Sequence, residues 1–383
     1  MSETLKVAII GNPKSPHVIT RVQKLRQAEN INVKVFDSSD FFPTKSPRSY
    51  SIKNILLELP KVNTILWLLK RYRAVQKYGA DVVFIMYADY YSLLLSLFFR
   101  CNVVVSVWGG DILIEQGAIK NKLQESVVKR ALRNADHIYC VSEQLKNHVT
   151  SMLEEKGKTE PQVVMYGVDL KDYAMNVDSH TEDELSGSNK NTPFVIYSPR
   201  WCLPIYNIMG VIDAFSELNR AEKNTHLFYR NVDISGSDES KNYYKKVSKK
   251  LTENKLLANS ETVGLVDKFD HIQQYKSSHV VISLSHSDGT PLTVLEAMAL
   301  GKIVVCNRLP SLEAIIEDGV NGFLVNGNDP SEVAHKLLYI KQNYANLAGS
   351  IGPIARQFVE KNANIDIEIS TYLARFRKIA GKK

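Results

Sequence analysis

Short, unbroken apolar runs alternate with stretches of helical period along nearly the whole chain, and this alternation limits the possible folds more than any other feature. In the first half, residues 5–10, 32–36, 81–86, 102–107 and 137–141 have strand character, while 18–28, 122–132 and 143–153 carry helical spacing. Continuous Val/Ile runs without polar alternation fit parallel strands covered on both faces. Strand–helix alternation then implies right-handed βαβ units. The pattern breaks over 171–193, where the tract 178–191 is rich in Ser, Asp, Glu and Asn and reads as a linker or exposed loop. It resumes with strand-like runs at 194–198, 225–229, 280–284, 303–306 and 322–325, and closes with one or two helices over 351–380. A chain of 383 residues is too long for one ordinary α/β core and suits two. The expected fold class is therefore α/β, with two Rossmann-like domains.

Composition excludes several alternatives. Hydrophobic residues at 44% and charged residues at 23% mark a globular chain, not a disordered one. The most apolar stretch, 82–108, is interrupted by Asp89 and Arg100 and reads as strand, helix and strand, not a membrane span. A polar start followed by an apolar run of strand length gives no signal-peptide pattern. Cys101, Cys140, Cys202 and Cys306 are scattered without CxxC pairing, as expected of reduced thiols in a cytoplasmic protein. The net charge of +7 is uneven: residues 1–175 hold 24 Lys/Arg against 17 Asp/Glu, and the remainder holds 24 of each. The first half is thus expected to meet something anionic.

The densest chemical signal spans residues 285–301 and follows the strand at 280–284. Thr290 has the character of a helix N-cap, Pro291 of a first helical residue and Gly301 of a C-terminal cap. The free N–H groups of Leu292 and Thr293, with the helix dipole, would favour an anion such as a diphosphate. Gly289 would allow close backbone approach. Glu296 lies one and a half turns into the helix, where a carboxylate can accept two hydrogen bonds from a ribose diol. Asp288 precedes the helix, where it can meet a sugar hydroxyl. Taken alone, such a loop is more simply a capped surface helix with solvated acids; its surroundings favour the binding reading.

Those surroundings are Asp288-x7-Glu296, then Ala297-Met298-Ala299-Leu300-Gly301 before the apolar run 303–305, then Glu313-Ala314-Ile315-Ile316 and Asp318-Gly319-Val320-Asn321-Gly322. The block resembles glycosyltransferase family 4, most closely over 194–340 and more weakly in the first half. The resemblance implies the GT-B fold, two Rossmann-like domains facing each other across a cleft. It implies an acceptor-side domain at 1–175, a linker at 176–193, a nucleotide-sugar-binding domain at 194–355 and C-terminal helices at 356–383 packing back toward the first domain. By position, Glu296 becomes the ribose residue and Asp288, where the family more often has Glu, the sugar-contacting acid. Gly289, Thr290, Leu292 and Thr293 would serve the sugar and diphosphate. Ser198-Pro199-Arg200 resembles the family's Gly-Arg loop, whose Arg pairs with the diphosphate, as a fixed fork of donors can. The Lys that usually follows is absent; Tyr206 or Asn207 would then offer a neutral donor, or the loop serves differently. Gly264 matches a family loop near the nucleobase, so Gly264 and Val266 would meet the base through backbone groups. Trp108-Gly109-Gly110-Asp111 resembles the Trp-Gly-Ser-Asp loop of some members, with Asp111 either contacting the acceptor or donor sugar or capping a helix. His17 lies on the loop after the first strand and is more simply a helix-start residue than a catalyst.

The expected activity is retaining transfer of a hexose-type sugar from a nucleotide diphosphate sugar to a hydroxyl acceptor, in surface polysaccharide or lipid-linked glycan synthesis. Arg200 and the helix start would stabilise the leaving diphosphate. Asp288, Arg200 and Asp111 are the candidate catalytic residues. No cofactor and no essential metal are expected, since no Asp-x-Asp signature is present. The alternatives are a GT-B sugar-nucleotide epimerase and a nucleotide-sugar-binding protein without catalysis. Residues 45–77 carry eight basic residues and one acid, Glu58, interleaved with apolar residues and Trp67. That segment suits either an anionic membrane surface or an ordinary domain helix with solvated charges. The expected location is cytoplasmic, peripheral on the inner face of the membrane. Nucleic acid is not an expected partner, because no recognised motif accompanies the charge.

Overall fold

The computed structural model describes residues 3–38, 60–112, 119, 121–154, 156–174, 192–231, 236–264 and 266–382. Residues 45–59 of the basic segment, 176–191 of the expected linker, and Leu265 lie outside the described residues. The chain divides into two compact units, Met1–Met165 with Asp366–Lys383, and Tyr166–Ile365. The first division therefore falls earlier than residue 175, and residues 166–174 belong with the second unit.

Unit 1 holds β1 (Leu5–Gly11), β2 (Ile31–Asp37), β3 (Val82–Met86), β4 (Asn102–Val107), β5 (His137–Cys140) and β6 (Gln162–Val163). Its helices before the second unit are α1 (Pro16–Arg26), α2 (Pro60–Tyr78), α3 (Tyr90–Ser96), α4 (Lys122–Asn134) and α5 (Glu143–Leu153). The strands are all parallel, in the order β2-β1-β3-β4-β5-β6. All five residues of β3 are buried, which explains why it reads as an unbroken apolar run. Each buried Val, Ile, Phe or Met there contributes roughly 1.5–3 kcal/mol.

Unit 2 holds β7 (Phe194–Ser198), β8 (Thr225–Arg230), β9 (Ser260–Val263), β10 (Val280–Ser283), β11 (Ile303–Asn307) and β12 (Phe323–Val325). Its helices are α6 (Ile208–Ala221), α7 (Asp238–Glu253), α8 (Lys268–Lys276), α9 (Leu292–Ala299), α10 (Pro310–Glu313), α11 (Pro330–Gln342) and α12 (Tyr344–Asn362). This sheet is also parallel throughout, in the order β12-β11-β10-β7-β8-β9. Counted within the unit, that is the doubly wound order 3-2-1-4-5-6. The strand order reverses between β7 and β10, the point beyond whose carboxyl ends open α/β sheets bind ligands. In unit 1 the reversal lies between β1 and β3.

The last helix, α13 (Ile365–Ala380), builds part of the core of unit 1. Phe376 and Tyr372 pack edge-on against Phe84 of β3, with ring centroids 5.1 and 5.0 Å away. Arg21 of α1 holds Glu368 of α13 through two bonds of 2.6 and 2.8 Å, both side chains 2% exposed. Removing either partner would strand a buried charge at a cost of about 3–5 kcal/mol. The chain enters α13 past Gly167, where a Cβ would lie 2.3 Å from Ile365 Cα; only glycine permits that approach.

Candidate active site

Ser198 ends β7, and the next residues turn out of the sheet beside the loop that leaves β10. The two loops are joined where His286 N–H donates to the Ile205 carbonyl at 2.9 Å. Ser311 Oγ donates to the Asp288 carbonyl at 2.7 Å, and Asn307 Nδ2 to the Ser285 carbonyl at 2.8 Å. The β10 loop is therefore held by side chains from β11 and α10 before any ligand arrives.

The start of α9 differs from the sequence expectation by one position. Pro291, not Thr290, is the N-cap, with extended φ and ψ of −72° and 103°. Its carbonyl accepts from Val294 and Leu295 N–H, so the helix begins at Leu292. Leu292 and Thr293 consequently hold the first two helical positions, whose N–H groups point out of the helix start. At the other end Gly301 has φ +67°. Gly301 N–H donates to Met298 and Lys302 N–H to Ala297, at 2.9 and 3.0 Å, which is the Schellman pattern.

Arg200 and Asp288, expected separately, meet as an ion pair of 2.6 Å with both side chains 12% exposed. Burial pushes the Asp288 carboxyl above its ordinary range, against the opposing charge of Arg200. Arg200 also reaches Thr293 Oγ1 at 3.3 Å, and its guanidinium carbon lies 4.0 Å from the Tyr206 ring centroid. Tyr206 thus acts on Arg200 through its ring face. Asn207 does not offer a free donor. With φ +51° it caps α6, accepting from Gly210 N–H at 3.1 Å and donating to the Gly327 carbonyl at 2.9 Å.

Glu296 lies on α9 with its carboxylate held by three donors. Tyr173 Oη is 2.7 Å from Oε1, and Tyr275 Oη and His271 Nε2 are 3.0 and 3.4 Å from Oε2. Burial alone would raise its pKa, but the contacts from His271, Tyr173 and Tyr275 outweigh burial and hold the carboxyl below the usual range. Tyr173 is itself fixed by Arg356, whose Nη1 donates to the carbonyls of Tyr173 and Ala299 at 2.9 and 2.5 Å. Sequence reasoning missed Tyr173, His271, Tyr275 and Arg356, which come from three separate stretches of chain. Arg230, at the carboxyl end of β8, is 5% exposed and stacks 4.0 Å from the Trp201 ring centroid. Gly264 and Val266 follow the carboxyl end of β9, both half-buried.

In unit 1, Asp111 bridges two loops. It is 4% exposed. Its carboxylate accepts from the backbone N–H groups of Ala88, Trp108 and Gly109, at 2.7, 3.0 and 2.7 Å. It staples the loop after β3 to the loop after β4. Burial raises its pKa despite those three donors.

Comparisons with known proteins follow this division. Residues 178–358 match the family of glycosyl transferases group 1, and residues 6–142 match the glycosyl transferase 4-like family. An uncharacterised glycosyltransferase of Methanocaldococcus jannaschii is 25% identical over 354 residues, covering 90% of this chain and 89% of its own. Among solved structures, sucrose-phosphate synthase from Thermosynechococcus elongatus aligns with a TM-score of 0.78 at 17% identity, covering 98% of this chain and 99% of its own. HepE of Anabaena, in complex with UDP, aligns with a TM-score of 0.73 at 14% identity, covering 98% of this chain and 100% of its own. Two parallel six-stranded units, both family matches and the full-length structural likeness agree: the chain is a GT-B glycosyltransferase of the family 4 type.

Proposed function

We propose that the chain moves a hexose-type sugar from a nucleoside-diphosphate donor, held by unit 2, to a hydroxyl acceptor with retention of configuration. The observation that carries this reading is the placement of Arg200 against the start of α9, at the point where the strand order of unit 2 reverses. A guanidinium with unused N–H donors and two helix-start N–H groups form a site for a diphosphate. HepE, with the same fold, has been solved with UDP and with UDP-glucose, which supports a uridine donor. Glu296 would accept from the ribose hydroxyls, Asp288 would meet the transferred sugar, and backbone groups of Gly264 and Val266 would face the base. No bound metal is required for these roles.

In the reaction the bond from the sugar's anomeric carbon to the diphosphate breaks, and a bond to the acceptor oxygen forms on the same face. The acceptor proton passes to a departing diphosphate oxygen. Arg200 and the N–H groups of Leu292 and Thr293 stabilise the charge that grows there. On the exposed side of α2, Ile65, Leu66 and Leu69 are 57, 46 and 44% exposed beside the exposed Lys70, Arg73 and Lys77. That mixture favours docking on an anionic membrane and a lipid-linked acceptor. The test is turnover of UDP-glucose, UDP-N-acetylglucosamine, GDP-mannose and ADP-glucose, with and without added glycoside acceptors. Release of nucleoside diphosphate that Arg200→Ala abolishes is the expected result. Formation of an epimeric sugar without acceptor would favour the epimerase alternative, and binding without turnover of any donor would favour a non-catalytic binder.

A further inference from the structure

Of the three donors that reach Glu296, His271 is itself held from behind. A neutral imidazole donates at one ring nitrogen and accepts at the other, so what it gives Glu296 depends on what its far nitrogen meets. His271 Nε2 lies 3.4 Å from Glu296 Oε2. Its Nδ1 lies 3.4 Å from Tyr197 Oη and 3.5 Å from Arg230 Nη1. The ring stands edge-on to Tyr275, with centroids 4.8 Å apart at 66°, and to Tyr197, 6.4 Å apart at 73°, which fixes its plane. Tyr197 belongs to β7, Arg230 to β8, His271 to α8 and Glu296 to α9, so four elements of unit 2 each supply one member.

The two ends of this series set its direction. A guanidinium has five N–H donors and no acceptor, and an ionised carboxylate only accepts. Arg230 can face Nδ1 only if Nδ1 carries a lone pair, and Nε2 then bears the proton that Glu296 takes. Tyr197 agrees with this sense. It is wholly buried. Burial pushes its hydroxyl up to about 12, and the charge of Arg230 and a hydrogen bond from it act against burial. A hydroxyl that accepts from Arg230 has its own O–H left for Nδ1. Arg230 holds this position at a cost. It is 5% exposed, and its Nε is buried with no partner among the described residues. A buried donor left unmatched calls for an explanation. Its guanidinium is pinned on the Trp201 ring at 4.0 Å, and the Trp201 loop is tied to the end of β8 where Cys202 N–H donates to the Asn231 carbonyl at 2.9 Å.

We propose that Arg230 is a positioning residue for the nucleotide: with Tyr197 it holds His271 as the Nε2–H tautomer, so that His271 can only donate to Glu296. The use of such a hold lies in what a ribose does on arrival. Its diol competes for the lone pairs of Glu296, and the hydroxyls of Tyr173 and Tyr275 can swing about their C–O bonds to other acceptors. An imidazole N–H whose far nitrogen is already occupied has no such freedom. It keeps one donor on the carboxylate and so keeps the carboxylate aimed. The inference rests on the reading of Glu296 as the ribose residue. It adds a side chain from β8 that acts on the nucleotide through two others and without touching it.

Two-bond proton–nitrogen correlation NMR on the full chain, isotope-labelled at the histidine nitrogens, reads the tautomer with no nucleotide present. The His271 signals are those lost in His271→Asn. A protonated Nε2 and an unprotonated Nδ1 are expected in the wild type. In Arg230→Met the Tyr197 hydroxyl is free to accept, so Nδ1 should take up a proton in part. Arg230→Lys keeps a cation that only donates and should stay closer to the wild type. By calorimetry, Arg230→Met should weaken UDP about tenfold, weaken 2′-deoxy-UDP less, and add little to the loss in Glu296→Gln. A protonated Nδ1 in the wild type would overturn the proposal, and that measurement needs no variant to fold. An Arg230→Met protein that loses UDP affinity while its His271 signals stay unchanged would overturn it too, in favour of direct contact between Arg230 and the diphosphate. A wild type that shows the expected tautomer and binds no nucleotide would instead count against the donor reading.

Discussion

Glu296→Gln offers a perturbation whose size follows from the geometry. The carboxylate has about four lone-pair positions. Tyr173, Tyr275 and His271 approach three of them, at 2.7, 3.0 and 3.4 Å. A ribose diol needs two, so one present donor must turn away. Tyr275 is the one that can, because its hydroxyl already lies 3.1 Å from the Thr293 carbonyl. Replacing the charge with an amide converts two charge-assisted bonds of about 1.5–3 kcal/mol into neutral ones of about 0.5–1.5, a total loss of about 2–3 kcal/mol, or roughly 30- to 150-fold in the Kd of UDP. The amide also points two N–H donors at tyrosine or histidine donors, lowering stability by about 1–3 kcal/mol. Calorimetry with UDP and 2′-deoxy-UDP on both proteins closes a thermodynamic cycle. Loss of the 2′-hydroxyl should cost the wild type clearly more than Glu296→Gln. An equal penalty in the two proteins would refute contact between Glu296 and the ribose.

Three further outcomes are expected. Arg200→Lys should weaken UDP about tenfold or more while leaving uridine unchanged, because a lysine loses the planar fork; equal weakening of both, by calorimetry, would remove the diphosphate from Arg200. His137 is 2% exposed, and burial followed by the charge of Arg375 pushes its pKa down to about 4 from 6.5. Between those values the unfolded chain binds the extra proton and the folded one does not, so stability falls as pH drops from 6.5 to 4, by up to about 3 kcal/mol; urea unfolding across that window should show a slope that His137→Gln flattens. Neutralising Lys70, Arg73 and Lys77 together should reduce sedimentation with anionic vesicles at low salt, at about 1 kcal/mol per charge, without changing UDP affinity; equal recovery with neutral vesicles would make the charge a matter of solubility.

Much of the fold was legible because buried parallel strands advertise themselves. Runs such as 82–86 and 303–305 have no polar face to blur. The elements that escaped were edge strands: β6 is two residues long, and β9, Ser-Glu-Thr-Val, is largely polar because only one residue of it is buried. The motif around α9 was legible for the same local reasons, a proline at its start and a glycine at its end. Its exact beginning was not, since the choice between Thr290 and Pro291 depends on which carbonyl accepts the first helical bonds. Side-chain partnerships were less legible. Arg200 and Asp288 were singled out for separate parts of a donor, and only the strand order brings them together. Asp111 showed the residue type of a sugar ligand, yet three backbone N–H groups converge on it from two loops. Tyr173, His271 and Tyr275 carry no common spacing, so only tertiary structure could place them around Glu296.

The central claim is that unit 2 binds a nucleoside-diphosphate sugar at Arg200 and the start of α9. Thermal unfolding against a panel of UDP-, GDP- and ADP-sugars tests it most directly, because any ligand bound only by the folded state raises the melting temperature. At a hundredfold excess over Kd the gain is about 2.7 kcal/mol, or roughly 5–10 °C for a unit of this size. The expected result is a rise of that order with one nucleotide class, shared by its free diphosphate and absent in Arg200→Ala. A wild-type protein whose melting temperature no nucleotide-sugar moves, or a shift that survives unchanged in Arg200→Ala, would contradict the account.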